Sequence, residues 1–381
     1  LSKILAFADI HLGIKSYSIY NDNGVSTAEE ECRKSLDFIL ERCKKDDITY
    51  IICCGDFFHT NHPTSSNIEW TINWLYKMDD LGKPFYIITG NHDTSMYSNS
   101  MAFVKELNLK NTILLDDAIT PLKFEDWKIL YAPYTPNKSL KDKDSIVYTN
   151  TQSCFDSIDS NTIIVTHLHE REALLGSEAV MLSKAVDNLE VPSQVFNHKI
   201  ILLTGHIHRH QIYTKLNGVT VVYSGSTTYM NANDLNMAKG YVLIDGDGSI
   251  SFEPIIGIRF FVKYDVESLA ELESKRIPSN SVVFINYESE YFEEDKVIEY
   301  LKSKNSILGW AKRLVKNKIA SVENVEQNQN ISNFDRLNNL INKIGEEKKL
   351  DQLIIDGAIQ KGVKQIESYR GVDDEESATL P

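Results

Sequence analysis

Five short motifs spread over two hundred positions carry carboxylates, an amide and imidazoles: Asp9-Ile-His11, Gly55-Asp56, Gly90-Asn91-His92-Asp93, Thr166-His167 and Gly205-His206-Ile207-His208. Together they offer oxygen and nitrogen donors and no thiolate. That set suits manganese, iron or zinc, is too rich in nitrogen for calcium, and matches magnesium alone poorly. Asp9, His11, Asp56, Asn91, His167, His206 and His208 make seven candidate ligands. One tetrahedral or octahedral ion would not take so many and still leave room for a substrate, so two divalent ions fit better. Asp56 is the natural bridge, because one carboxylate can ligate two cations. A cation pair neutralises phosphate oxygens and lowers the pKa of water held between the ions, which suits in-line attack on a phosphoester.

Each motif alone has a bland reading: Asp-x-His as a turn, Gly-Asp as a loop, Gly-Asn as a turn dipeptide. Their shared position argues otherwise. Apolar, β-branched runs that read as strands precede them at Lys3–Ala8, Ile48–Cys53, Phe85–Thr89, Thr162–Thr166 and Ile200–Thr204. Ligands of open α/β sheets bind beyond the carboxyl ends of the strands, so residues two hundred positions apart can converge there. Helices fill the gaps. Cys32, Leu36, Ile39, Leu40 and Cys43 share one face between Thr27 and Lys45, with Thr27 and Glu30 resembling a capping box. The next helix puts Ile68, Ile72, Leu75 and Met78 on its buried side and stops at Gly82. A further strand is expected at Lys128–Ala132, a hairpin turned at Asn217-Gly218 in type I′ geometry, and another hairpin ending near Gly246.

From about Arg259 the pattern changes to a small αβ segment, with strands near Phe260–Tyr264 and Val282–Tyr287 and helices around Val266–Lys275 and Glu293–Lys304. Glu323–Asn330 is polar enough for a linker. Phe334 to Tyr369 returns to helical periodicity before the acidic run Asp373–Glu376. The domains expected are therefore 1–258, 259–322, a linker at 323–331, and a helical segment with an acidic tail at 332–381. The fold class expected is a layered α/β domain, a β-sandwich flanked by helices, followed by the small αβ domain and C-terminal helices.

The 381 residues are 42% hydrophobic and 25% charged, with no apolar run long enough for a bilayer, so a soluble, cytoplasmic protein is expected. Five cysteines (Cys32, Cys43, Cys53, Cys54, Cys154) make an odd count without Cys-x-x-Cys spacing and read as core residues. The formal net charge of −14 counts against autonomous binding to a polyanion. Bound divalent cations, local basic patches or a basic partner could reverse that field locally.

The ordered motif set resembles the calcineurin-like metallophosphoesterases across residues 3 to about 228, and within them the SbcD-type nuclease subunits of double-strand-break repair and phage recombination. The resemblance implies a manganese-dependent DNA nuclease, with magnesium as a substitute ion, acting both as a double-strand exonuclease and as a single-strand endonuclease. By it, Asp9, His11, Asp56 and His208 hold one ion, and Asp56, Asn91, His167 and His206 the other. His92 then stands beside the scissile phosphate as general acid or transition-state stabiliser. Gly55-Asp56-Phe-Phe-His59 followed by Pro63 resembles the nuclease form of the second motif, in which the histidine partners the catalytic one; otherwise His59 is a partly exposed loop residue. The implied partners are DNA, bound by the 259–322 capping domain, and an SMC-like ATPase with a coiled coil, docked by 332–381. A homodimer built from helices of the first domain is also implied, with location in a host cytoplasm for a phage-encoded chain.

Asp93 reads as a loop residue that orients its neighbour, and His62, His169, His198 and His210 as surface or loop residues or as supports behind the ligands. Two readings compete with the nuclease. One is another phosphodiesterase, nucleotidase or phosphatase on the same fold, and the other a non-catalytic scaffold. The C-terminal stripe Phe334, Leu337, Ile341 and Ile344 equally suits folding back onto its own domain.

Overall fold

Alternation along the first strand sets the layers of the molecule. In β1 (Lys3–Phe7) Ile4 and Ala6 face one way and Leu5 and Phe7 the other, since successive strand side chains point to opposite faces. All four are buried, so β1 needs cover on both sides. One side is covered by α1 (Thr27–Cys43) and α2 (Ser65–Asp79), whose Leu36, Ile39, Trp74 and Met78 join Leu5 and Phe7 in one core. The other is covered by a second sheet, whose Ile129, Ile163, Val165 and Leu203 meet Ile4 and Ala6.

The computed structural model of the chain describes residues 3–20, 24–95, 97–116, 121–134, 146–175, 189–235, 237–289 and 291–314. After β1 come β2 (Ile48–Cys53), β3 (Phe85–Ile88) and β4 (Thr112–Leu115), parallel to one another and joined to β1 through the two helices. Then follow β5 (Leu122–Phe124), β6 (Trp127–Ala132), α3 (Ile146–Asp156), β7 (Thr162–His167), β8 (Ile200–Gly205), β9 (Gln211–Thr214), β10 (Val219–Tyr223), β11 (Gly240–Asp245) and β12 (Ile250–Pro254). The first sheet has the order β12-β11-β1-β2-β3-β4 and the second β5-β6-β7-β8-β10-β9. Every residue of β7 and β8 is buried, as expected for central parallel strands covered on both faces, with Cys154 and Phe155 of α3 packed on the outer one. The layers are helix, sheet, sheet, helix, a mixed α/β architecture of the class expected.

The small αβ segment is β13 (Phe260–Asp265), α4 (Leu269–Ser274), β14 (Ser281–Tyr287), α5 (Glu294–Ser303) and β15 (Ile307–Arg313). Its strands form a parallel sheet in the order β13-β14-β15. One face carries α4 and α5, whose Leu272 and Val297 share a core with Val283 and Ile285 of β14. The opposite face packs Phe261 and Phe284 on Tyr17 and Tyr229, from the loops after β1 and β10, with ring centroids 5.2–5.6 Å apart. The expected linker and helical segment lie outside the described residues.

Several local expectations shift. The cap of α1 is Ser26, whose Oγ accepts from the Glu29 amide at 3.1 Å, while Thr27 Oγ1 accepts from Ile19 N. The buried face of α2 runs through Asn67, Thr71, Trp74, Leu75 and Met78, leaving Ile68 and Ile72 half-buried. Trp74 decides that rotation: its ring packs 6.0 Å from both Phe57 and Phe85. The hairpin turn is not type I′, since only Gly218 has a positive φ. Gly218 N donates to Lys215 O and Lys215 N to Val219 O, a turn closed by a left-handed glycine. All five cysteines are buried and free, as read. Among the described residues no helix is long and apolar enough to cross a membrane.

β4 depends on one carboxylate. Asp79, the last residue of α2, accepts from the amides of Lys110, Asn111 and Thr112 at 2.7–3.1 Å. Burial raises its carboxyl, but these amides outweigh burial and hold it below the usual range. Hydrogen bonds to a charged group contribute about 1.5–3 kcal/mol, so Asp79→Ala is expected to destabilise the fold by that order. With a depressed folded-state pKa, the contribution is present above the unfolded carboxyl pKa and is lost as pH falls through the folded value. Thermal unfolding across the acid range should show wild type and Asp79→Ala converging as pH drops.

Candidate metal centre

Five strand ends deliver the candidate residues to one edge of the sandwich. Asp9 and His11 follow β1, Asp56 follows β2, and Asn91 and His92 follow β3 of the first sheet. His167 ends β7, and His206 and His208 follow β8 of the second. Backbone bonds knit these ends together: Asp9 N donates to Gly55 O, and Ile10 N and His11 N both donate to Asp56 O, at 3.0–3.1 Å. A single residue pairing, Ala8 with Ser226, ties β1 to the segment beyond β10.

The side chains fall into two clusters, Asp9, His11 and His208 in one, and Asp56, His167 and His206 in the other, with donor atoms in each lying within 4.8 Å of one another. Asp56 lies between them, its Oδ2 3.6 Å from His11 Nε2 and 3.3 Å from His167 Nε2. Asn91 Oδ1 completes the second cluster, 3.1 Å from His167 Nε2 and 2.8 Å from His206 Nδ1. In the first, His11 Nε2 and His208 Nε2 are 3.0 Å apart. A third group joins His11 to His59 and His92. The rings of His59 and His92 lie nearly parallel, 5.5 Å apart, and His92 Nδ1 donates to the His59 carbonyl at 2.8 Å.

A model of the calcineurin-like phosphoesterase family matches residues 2–210, more than half of the chain. The chain belongs to that family. It is 26% identical over 267 residues to a Staphylococcus epidermidis protein named as a subunit of the nuclease SbcCD, covering 64% of this chain and 66% of that one. Two archaeal proteins named DNA double-strand break repair protein Mre11 also match. The one from Sulfurisphaera tokodaii is 22% identical, covering 65% of this chain and 61% of its own length. The one from Saccharolobus solfataricus is 21% identical, covering 80% and 72%. The chain thus spans just under two thirds of the first two relatives.

In this phosphoesterase the geometry is held under strain. Asp9, His11, Asp56 and His206 all have left-handed backbones, with φ of 53°, 51°, 53° and 85°. Such non-glycine residues cost about 1–3 kcal/mol each and persist where their surroundings over-determine them. Asp93 supplies part of that constraint. Fully buried, its carboxylate accepts from Phe57 N, Phe58 N and Gly90 N at 2.9–3.2 Å, binding the loop after β2 to the loop after β3. Gly90 allows the approach, because a Cβ there would strike the Asp56 carboxylate. His92 N then donates to Asp56 Oδ1 at 2.8 Å.

Electrostatics show what the donor set lacks without cations. Burial drives the His11 and His208 imidazoles well below their ordinary range, and burial aided by His167 takes His206 down to about 3. These are neutral lone-pair donors. Burial pushes the Asp56 carboxyl up, but His167, His11 and His92 outweigh burial and hold it well below the usual range. Burial lowers His167 too, yet Asp56 lifts it to about 9. His167 Nδ1 donates to the Cys54 carbonyl at 2.7 Å, so its Nε2 faces Asp56 and Asn91. The extra proton stands where a divalent cation would satisfy the same acceptors, and metal binding to such sites releases it. Neutral imidazoles, carboxylates and an amide oxygen in two touching clusters fit a dimetal site of the kind typical of this family.

Every residue expected at the centre is brought there, His59 included. His169, expected at the surface or behind the ligands, is 6% exposed and lies within electrostatic reach of His206. His210 stacks on Phe252 at 4.1 Å, and its Nδ1 donates to Tyr223 O, away from the clusters. His62 and His198 are exposed. The reach of Asp93 was missed, since a carboxylate that acts on backbone amides leaves no side-chain pattern. Asp93→Ala leaves three buried N–H groups unsatisfied and is expected to cost at least about 1–3 kcal/mol. It should also weaken Mn²⁺ binding by about 10–100-fold, as loss of a supporting group does. Thermal unfolding paired with Mn²⁺ titration checks both; unchanged affinity would show that the loops hold their place without Asp93.

Proposed function

We propose that this chain is a manganese-dependent DNA nuclease, a double-strand exonuclease and single-strand endonuclease, working with an SMC-like ATPase in DNA repair, recombination and replication. The pairing of His59 with His92 carries this reading. Hydrolysis of a DNA phosphodiester expels a strongly basic alkoxide, so a proton donor beside the leaving oxygen is worth most there. With Nδ1–H committed to the His59 carbonyl, His92 as the imidazolium carries its second proton on Nε2, gives it to that oxygen and is left as the neutral ring. His59 fixes the ring by stacking and by its backbone, and so acts as a positioning partner. The names of the relatives support the same substrate class.

When bound, two divalent ions would supply Lewis-acid neutralisation of the phosphate and a water of lowered pKa. Asp9, His11, Asp56 and His208 would hold one, and Asp56, Asn91, His167 and His206 the other, with manganese the best match and magnesium a substitute. His167, locked by Cys54 O, and His206, against Asn91, orient their lone pairs before the ion arrives. A chain of net charge −14 then meets DNA through the field of its ions, the capping domain at 259–322 and its partners. The segment 332–381 docks the coiled coil of the ATPase, beyond the linker at 323–331, and the first domain forms a homodimer.

Asp56→Asn is expected to weaken both ion sites and reduce turnover by orders of magnitude. His92→Ala should instead keep both ions and lose about 10²–10⁴ in turnover; a fall in its metal content would make it a ligand rather than an acid. His59→Ala should impair cleavage of duplex DNA more than that of a nitrophenyl phosphodiester, whose leaving group departs unaided. Equal losses on the two substrates would remove His59 from leaving-group chemistry. The parent assay compares duplex DNA, the chromogenic diester and a phosphoprotein with Mn²⁺. Cleavage of either of the last two without DNA would favour another phosphodiesterase or a phosphatase, and neither metal binding nor cleavage would leave a scaffold.

A further inference from the structure

Beneath the His206–His208 turn lies a buried charge pair that the chemistry above does not use. Lys239 is 3% exposed and Asp234 fully buried, with Nζ and Oδ1 3.4 Å apart. The ammonium donates to Ser226 Oγ at 2.7 Å and to the backbone carbonyl of His208 at 3.3 Å. It also stands 5.4 Å over the ring of Tyr229. Ser226 N donates to the same His208 carbonyl at 3.1 Å, and Ser226 pairs with Ala8, the residue before Asp9. Asp234 in turn accepts from Met230 N at 2.7 Å and closes the capping box of the 231–234 turn. Tyr229 stacks on Phe261 of β13, with centroids 5.3 Å apart and planes at 16°.

A buried ion pair is poor evidence of stabilisation, because apolar residues of similar volume often do as well. Its contacts indicate another use. His208 lies three residues beyond the end of β8, so the strand ladder does not fix it. Its carbonyl is instead held by Lys239 and Ser226. We infer that Lys239 is a positioning residue of the metal centre: its ammonium clamps the His208 backbone against Ser226 and Asp234 and, through Tyr229, joins this loop to the capping sheet. The inference rests on His208 being a ligand. Displacement of the capping sheet is then felt at one of the two ion sites.

The test is Mn²⁺ titration of the full chain, followed by the EPR signal of the free ion and paired with thermal unfolding. Lys239→Met alone strands the Asp234 charge, so the informative variant is Lys239→Met/Asp234→Asn, which removes both charges. It is expected to unfold near the wild-type temperature yet bind one of the two ions about 10–100-fold more weakly. Lys239→Gln/Asp234→Asn, which restores an N–H donor for the His208 carbonyl, should recover part of that loss. Wild-type affinity in the Met double variant overturns the clamp. Should the double variants fail to fold, Tyr229→Leu keeps both charges and decides: a severalfold weaker ion site is expected, and wild-type affinity overturns the link. His208→Ala separates the two layers of inference, since two intact ion sites in that variant would overturn the ligand assignment and the clamp with it.

Discussion

One carboxylate governs the architecture of the site. Asp56 is 1% exposed and lies between His11 and His167 at 3.6 and 3.3 Å. An ionised carboxylate withdrawn from water needs opposite charge or hydrogen bonds close by. The protein meets that need with imidazoles from both sheets and an amide from His92, all aimed at the same small volume. Once Asp56 is fixed, the rest is constrained. The loops after β1, β2 and β3 must cross within a backbone's width of it, and β7 and β8 must end level with it.

Those crossings explain the local backbone. The left-handed residues Asp9, His11, Asp56 and His206 carry the functional side chains themselves, so the fold places its strain where chemistry needs convergence. Supports lie behind the cluster: Asp93 under the loops after β2 and β3, the Cys54 carbonyl behind His167, Lys239 and Ser226 behind His208. Cys32 belongs to the same layer, with Sγ donating to the Ile10 carbonyl at 3.2 Å. A centre so framed has little freedom to rearrange, which suits a reaction whose barrier is lowered by fixed charge rather than by motion.

Much of this was legible in the sequence because strands that end at a site carry two signals at once, apolar alternation and then a polar motif. Lys3–Ala8, Ile48–Cys53 and Ile200–Thr204 each match a strand to within a residue, and the seven candidate ligands and His92 gather as their positions implied. Where signals were weak, elements escaped. β4 and β5 have four and three residues, too few for a period to show. α3 has Gln152 as its one strong helix former among residues of indifferent helix propensity, and β15 carries a glycine and charged residues at an edge. The N-cap of α1 is Ser26, one residue before the expected Thr27, because the two offer the same hydroxyl. Contacts made by backbone atoms, such as those of Asp93 and Lys239, have no sequence signature at all.

The proposed chemistry depends on two ions sharing Asp56, and anomalous diffraction at the manganese edge from crystals of the full chain soaked in Mn²⁺ observes this directly. Two peaks about 3.5–4 Å apart are expected, one among Asp9, His11 and His208, the other among Asn91, His167 and His206, with an Asp56 oxygen bonded to both. A single peak, or peaks that leave Asp56 unbonded, would contradict it.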